Sequence, residues 1–203
     1  MYQKFGKRLF DLGLSLILLL ILWPLFIAIA LAVKVKIGGK VIFVHERAGL
    51  NGKTFKLYKF KSLYDEVDKN GNILSLEERR GEFGKKLRAS KLDELPQLFN
   101  ILRDEMSFVG PRPLRAQYIP LYNEMQKHRL DVRPGLTGLA QINCKKSTPW
   151  KEYFEYDLKY VDAISFENDL SILWRTFYLV IIKRGIMLED RLAGEVFAGN
   201  TEN

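Results

Sequence analysis

Leu12–Val33 reads LGLSLILLLILWPLFIAIALAV, a run without one charged side chain. About 20 consecutive apolar residues suffice for a helix to cross the hydrocarbon core of a bilayer. At this length a membrane segment is favoured over a buried core helix. It is also favoured over a cleaved signal peptide, whose apolar region ordinarily spans about 7–15 residues and ends at a small-x-small site. Lys4, Lys7 and Arg8 precede the run, and Lys34, Lys36 and Lys40 follow it. Cations beside a membrane segment tend to stay cytoplasmic. With cations at both ends, that rule favours neither orientation of a spanning helix. Pro24 removes one helix hydrogen bond and crowds the preceding turn, which promotes a kink. Two solutions stay open on these residues: a re-entrant helix that bends at Pro24 and returns to the same face, and a straight span with a proline kink.

The rest of the 203-residue chain is the size of one domain, and 47% hydrophobic residues set it apart from disordered sequences. Lys and Arg number 32 against 24 acids, a net charge of +8. That balance suits an anionic partner: nucleic acid, lipid headgroups or phosphates. Cys144 is the single cysteine, so no internal disulfide forms. VIFVHE (Val41–Glu46) and TFKLYKFKS (Thr54–Ser62) read as strands joined through a hairpin signal at Asn51-Gly52. Lys59 and Lys61 then share one face, either a solvated edge or a phosphate or metal contact. Polar residues from Tyr64 to Glu82 predict a loop around Asn70-Gly71-Asn72. The expected fold is α+β: a membrane helix over residues 1–36, then a small, mostly helical domain over 37–203 with a short β-hairpin.

Two later segments are amphipathic. Leu170, Leu173, Trp174, Phe177, Tyr178 and Ile181 form a helical stripe with Arg175, Lys183 and Arg184 near its polar side. It suits either a core helix or an interfacial one. PWKEYFEYDLKYVD (Pro149–Asp162) is the second, with Thr148 as its expected cap and Pro149 at its first position. Asp157 on this helix belongs to an exposed polar face or supports a site.

RASKLDELPQLFNILRDEMSFVGPRP (Arg88–Pro113) carries the chemistry. Leu95, Leu98, Phe99 and Leu102 recur at helical spacing, and Pro96 is tolerated only in a first turn. The helix is therefore expected to begin near Asp93, with Asp93 and Glu94 at its N-terminal end. The dipole and free amides there favour anions, so both acids are expected to be ionised. Adjacent helical residues point about 100° apart, so the two carboxylates can do different jobs. An isolated Asp-Glu pair at a helix start is ordinarily a cap; the cations around this one change its reading. Arg88 and Lys91 precede it. The turn Ser107–Pro113 presents Arg112 and includes Gly110, where backbone can approach a ligand. RPGLTGLAQIN (Arg133–Asn143) is a second glycine-punctuated loop, led by Arg133. Two acids among arginines suit a Mg²⁺-assisted reaction at a diphosphate, because arginine binds phosphate bidentately and the metal neutralises charge. His45 and His128 are too few and too separated for a metal pair.

LDELPQLFNILRDEMSFVGPRP (Leu92–Pro113) and DVRPGLTGLAQIN (Asp131–Asn143), behind an apolar N-terminal helix, resemble the bacterial sugar transferases that start glycan assembly. More narrowly, the chain is similar to the small monotopic phosphoglycosyl transferases, near the initiating enzyme of bacterial N-linked protein glycosylation. The likeness extends from KRLFDLGLS (Lys7–Ser15) to DLSILWRTF (Asp169–Phe177). It implies transfer of a phosphosugar from a UDP-sugar to polyprenol (undecaprenyl) phosphate, with Mg²⁺ as cofactor and UMP as product. It implies Asp93 as the nucleophile of a covalent phosphosugar intermediate and Glu94 as metal or proton handler. Arg112 binds phosphate, with Arg88, Lys59 and Arg133 as further phosphate contacts. It also implies a re-entrant helix broken at Pro24 and a catalytic domain on the cytoplasmic face of the inner membrane. Membrane lipids and later glycan enzymes are the implied partners, and nucleic acid is not. Lys61 and Leu63 replace the family's usual Arg and Met. Leu139 and Cys144 replace its Trp and Gly, which bears on the sugar; a diacetylbacillosamine-type donor is expected, with N-acetylated hexosamines as competitors. The alternative from another class is a non-catalytic membrane-anchored module for anionic lipid or nucleic acid, and UMP release separates the two. A ternary-complex enzyme without covalent attachment is a third reading.

Overall fold

A computed structural model describes residues 2–65, 73–145, 147–182 and 197–200. The elements in chain order are α1 (Lys7–Lys36), β1 (Ile42–Ala48), β2 (Thr54–Phe60), α2 (Leu76–Ala89), α3 (Gln97–Leu102) and β3 (Ser107–Val109). There follow α4 (Glu124–Lys127), β4 (Gly135–Thr137), α5 (Leu139–Asn143), α6 (Trp150–Asp162) and α7 (Phe166–Phe177). The fold is mixed and mostly helical, as expected. The expected loop at residues 70–72 and the cations Lys183 and Arg184 lie outside the described residues.

Helical conformation runs unbroken along α1 through Pro24, which is exposed. Asp11, Ser15, Ile29 and Val33 are buried, and Leu18, Leu22 and Phe26 are half-buried between them. Steps of three and four residues place these side chains on one face along the whole helix. Leu16, Ile17, Leu20, Ile21, Trp23, Ile27 and Leu31 are exposed on the remainder. The helix thus lies along the domain and does not project from it. Its first turns are fixed by polar contacts. Arg8 donates to Ile101 O at 2.7 Å and Leu102 O at 3.2 Å, satisfying carbonyls at the C-terminal end of α3. Asp11 Oδ1 accepts from Phe108 N–H at 3.0 Å, and Lys7 Nζ meets Asp169 Oδ2 at 2.6 Å. Two of the cations that precede the apolar run are therefore engaged within the protein. The C-terminal half of α1 packs Ile29 and Val33 against Phe60 and Leu87.

β1 and β2 form the expected antiparallel hairpin, in register from Ile42 opposite Phe60 to Ala48 opposite Thr54. Asn51 and Gly52 take φ of 53° and 73° in its loop, a conformation glycine and asparagine tolerate best. A second, parallel pair, β3 with β4, is absent from the sequence reading. It aligns Ser107 with Gly135 and Val109 with Thr137. Gly110, Gly135 and Gly138 make this pairing possible. A Cβ on Gly110 would lie 2.4 Å from Arg133 O, and one on Gly138 would lie 2.2 Å from Gly110 O. The close approach at Gly110 is therefore to backbone, where the sequence reading placed a ligand.

Leu98, Ile101, Met106, Phe108 and Ile172 build the main core against β2 and α1. Tyr118, Tyr122, Trp150, Phe154 and Phe197 form an aromatic second core. α6 contributes to both through Tyr160 and Phe154, so it is a core helix. It starts at Trp150 behind Pro149 without a side-chain cap, because Thr148 Oγ1 accepts instead from Lys145 N–H at 2.9 Å. α7 shows both expected faces. Ile172 is buried, whereas Leu170, Trp174 and Phe177 are exposed, with Trp174 and Phe177 stacked at 6.0 Å.

Candidate active site

Asp93 and Glu94 occupy a 3-10 turn, Leu92–Glu94, between α2 and α3. Lys91 precedes it with a left-handed φ of 59°, strained by about 1–2 kcal/mol for a residue with a Cβ. α3 begins only at Gln97, not near Asp93. Glu94 N–H is engaged by Lys91 O and Leu95 N–H by Leu92 O. The acids precede the helix by a turn, and their surroundings differ.

Glu94 is buried, and its Oε1 accepts from Lys59 Nζ at 2.7 Å and Arg112 Nη2 at 3.0 Å. Burial alone would raise its pKa, but Lys59 and Arg112 outweigh it and hold the carboxyl well below the usual range. Asp93 is also buried, and its Oδ1 has no hydrogen-bond partner among the described residues. Burial and the charge of Glu94 push Asp93 up to about 6, against the opposing pull of Lys59, Arg88 and Lys91. The two acids thus differ in their surroundings: one carboxylate has an oxygen shared by two cations, and the other keeps an open oxygen.

The two acids line different cavities. Asp93 faces one of about 290 Å³ whose wall includes Arg47, Lys59, Lys61, Arg79 and Arg88. Glu94 and Arg112 face another of about 230 Å³. Lys59 reaches the pair from β2, whose backbone Asn100 clamps. Tyr58 N–H donates to Asn100 Oδ1 at 3.1 Å, and Asn100 Nδ2 donates to Lys56 O at 2.7 Å. Arg112 follows β3, and its carbonyl accepts from Arg129 Nη2 at 2.7 Å. Arg129 is fixed in turn by Asp157 Oδ2, at 3.0 Å from Nε and 2.8 Å from Nη2. Asp157 is 1% exposed, so it belongs to the support of the Arg112 loop and not to a solvated face.

Of the sequence candidates, Asp93, Glu94, Lys59, Arg88 and Arg112 come together. Arg133 does not: it lines neither cavity, and its guanidinium pairs with Asp104. Its loop turns it away because Pro134 and Gly135 are drawn into the parallel strand pair. Leu139 packs against the main core, and Cys144 lines the Glu94 cavity. Asn100 and Arg129 were missed. One sits in an apolar helical stretch and the other in a basic run, and neither pattern marks a buried polar anchor.

Among the described residues no cluster of three His, Cys, Asp or Glu could hold a metal. Mg²⁺ does not require one, since it keeps several waters and takes one or two carboxylates plus substrate phosphates. Asp93 with its open Oδ1, beside Glu94, fits that donor set.

The bacterial sugar transferase family model matches residues 2–183 of this chain. The chain belongs to that family. This sugar transferase is 44% identical over 194 residues to EpsL, an uncharacterized sugar transferase of Bacillus subtilis, with 96% of each chain covered. It is 39% identical over 191 residues to the UDP-glucose:undecaprenyl-phosphate glucose-1-phosphate transferase of Xanthomonas campestris, covering 89% of this chain and 40% of that one. It is 34% identical over 200 residues to the undecaprenyl-phosphate galactose phosphotransferase of Salmonella typhimurium, covering 90% of this chain and 42% of the relative. The sugar transferase thus spans nearly the whole length of the first relative and less than half of the other two.

Proposed function

We propose that this sugar transferase moves a sugar phosphate from a UDP-sugar to polyprenyl phosphate, through a covalent intermediate on Asp93. The observation that carries the reading is the inequality of the two acids. Glu94 is bound by Lys59 and Arg112, while Asp93 keeps a buried oxygen without a partner among the described residues, on a cation-lined cavity. Relatives whose names state undecaprenyl-phosphate sugar phosphotransfer support the substrate classes.

The geometry supports the following steps. The diphosphate of the UDP-sugar lies among Lys59, Lys61 and Arg88, whose charges lower the repulsion between phosphate and carboxylate. Asp93 and Glu94 would hold Mg²⁺, which supplies further neutralisation of the diphosphate. An Asp93 oxygen attacks the phosphorus bonded to the sugar, and the bond from that phosphorus to the bridging oxygen breaks. UMP leaves with the bridging oxygen. A polyprenyl phosphate oxygen then attacks the same phosphorus, the bond to Asp93 breaks, and the carboxylate is restored. No net proton transfer is required in either step, so the chemistry is charge management. Arg112 supplies charge to the second anion, and its replacement by Ala should slow turnover by roughly 100–1,000-fold, as for other preorganised charge-stabilising donors.

Membrane placement belongs to the same proposal. α1 rests on the domain at both ends, through Arg8 and Asp11 at one and Val33 at the other. A straight span would carry one end about 30 Å across the hydrocarbon core. The exposed apolar side chains of α1 and α7 suit the lipid side of a re-entrant helix and an interfacial one, with the domain on the cytoplasmic face of the inner membrane. The donor panel that tests the function is UDP-diacetylbacillosamine, UDP-N-acetylglucosamine, UDP-glucose and UDP-galactose, each with Mg²⁺ and undecaprenyl phosphate. UMP release with one donor supports the proposal and names the sugar. No UMP with any of them favours the non-catalytic anion-binding module.

A further inference from the structure

The cavity that Glu94 and Arg112 line has a different chemistry from the one beside Asp93. Its lining includes Leu18 and Leu22 of α1 and Leu173 of α7. The Thr137 and Thr176 hydroxyls in its wall lie 2.7 Å apart and bond to each other, and Thr176 also donates to Ile172 O at 2.7 Å. Those hydroxyls make no demand on an occupant. We propose that this cavity holds the first isoprenyl units of polyprenyl phosphate, with the phosphate directed at Arg112; the assignment rests on the transfer reading above.

Charge complementarity selects the occupant. An amphiphile with one anionic head and a hydrocarbon tail matches a cavity lined by the cations Lys91, Arg112 and Lys145 together with Leu18, Leu22, Leu136, Leu173 and Val180. Gln141 also lines it, with Lys91 and Lys145 beside the anionic head, while those apolar side chains offer a nucleotide's remaining polar groups no partner. The cavity with Arg47, Lys59, Lys61, Arg79 and Arg88 suits the nucleotide diphosphate instead. Continuity with the exposed apolar surface points the same way. Leu18 and Leu22 are flanked on α1 by exposed Leu16, Ile17, Leu20 and Ile21, and Leu173 on α7 by exposed Leu170 and Trp174. A prenyl tail can therefore pass from lipid to the cavity along hydrocarbon, without the cost of wetting it. Asp93 and Glu94 are adjacent, so the dyad forms the boundary at which the two substrates meet.

Two measurements test this. Polyprenyl phosphate with a diazirine on its first isoprenyl unit, in vesicles, is photolysed with the unaltered protein, and labelled residues are mapped by peptide mass spectrometry. Labels on Leu18, Leu22 or Leu173 are expected; labels confined to exposed side chains such as Leu20 and Trp174, or to the Asp93 cavity, overturn the assignment. The second is a chase. Leu22→Trp and Leu173→Trp fill the cavity from opposite walls. Each should accumulate phosphosugar on Asp93 from UDP-sugar, which also reports a folded site, yet lose it at least tenfold more slowly when polyprenyl phosphate is added. Equal slowing of both steps would place the donor in this cavity and overturn the proposal, as would a chase at the wild-type rate. Absence of any phosphosugar adduct in the wild-type protein is a different failure, that of the transfer reading itself.

Discussion

Glu94 Oε1 is shared by Lys59 and Arg112, so Glu94→Gln leaves two partly buried cations facing a neutral amide. A hydrogen bond to a charged group contributes about 1.5–3 kcal/mol. Urea denaturation should show a loss in that range despite the near-identical shape of Gln, together with slower adduct formation; an unchanged midpoint would mean that these contacts are not made in solution. Asp157 and Arg129 pose the stricter test, since their side chains are only 1% and 2% exposed. Removing one partner of a buried pair costs about 3–5 kcal/mol. Asp157→Asn should cost that order and shift the loop carrying Arg112, seen as a larger fall in transfer to lipid than in adduct formation. Equal effects on both steps would assign Asp157 to stability alone.

At the scale of elements, the parallel pair β3–β4 holds the turn that presents Arg112. Gly138→Ala drives a methyl to 2.2 Å from Gly110 O, and backbone rather than a flexible side chain must yield. Overpacking of this kind costs about 1–3 kcal/mol, so thermal unfolding should shift down and activity should fall with it; a neutral substitution would contradict the close approach of the two loops' backbones. No local sequence signal marks this pair. The hairpin was legible because alternation over Thr54–Phe60 and an Asn-Gly loop are local signals. β3 and β4 are three residues each, flanked by Gly and Pro, and nothing local marks a partner so far along the chain. The cations beside Asp93 were legible because Arg88, Lys91 and Arg112 are near it in sequence. Asn100 and Arg129 were not, because their roles arise from contacts with β2 and α6. Arg133 misled for the same reason: its neighbourhood in sequence resembles a phosphate loop, while Asp104 claims its guanidinium.

For the whole molecule, a helix lying on its own domain suits the proposed reaction between a water-soluble and a lipid substrate. Gln3 and Lys36 bracket α1, and cysteines placed there should both react with an impermeant maleimide only from the cytoplasmic side. Periplasmic labelling at position 3 would contradict the re-entrant placement. The apolar run of α1 was legible from composition. Its course along the domain was not, because Asp11 reaching the Phe108 amide and Arg8 closing α3 are long-range contacts. The central claim, that Asp93 carries the phosphosugar, is tested most directly by intact-protein and peptide mass spectrometry after incubation with an active UDP-sugar and Mg²⁺, without polyprenyl phosphate. The account predicts one sugar phosphate on Asp93, lost on adding polyprenyl phosphate and absent in Asp93→Asn. An adduct on Glu94, or full turnover by Asp93→Asn, would contradict it.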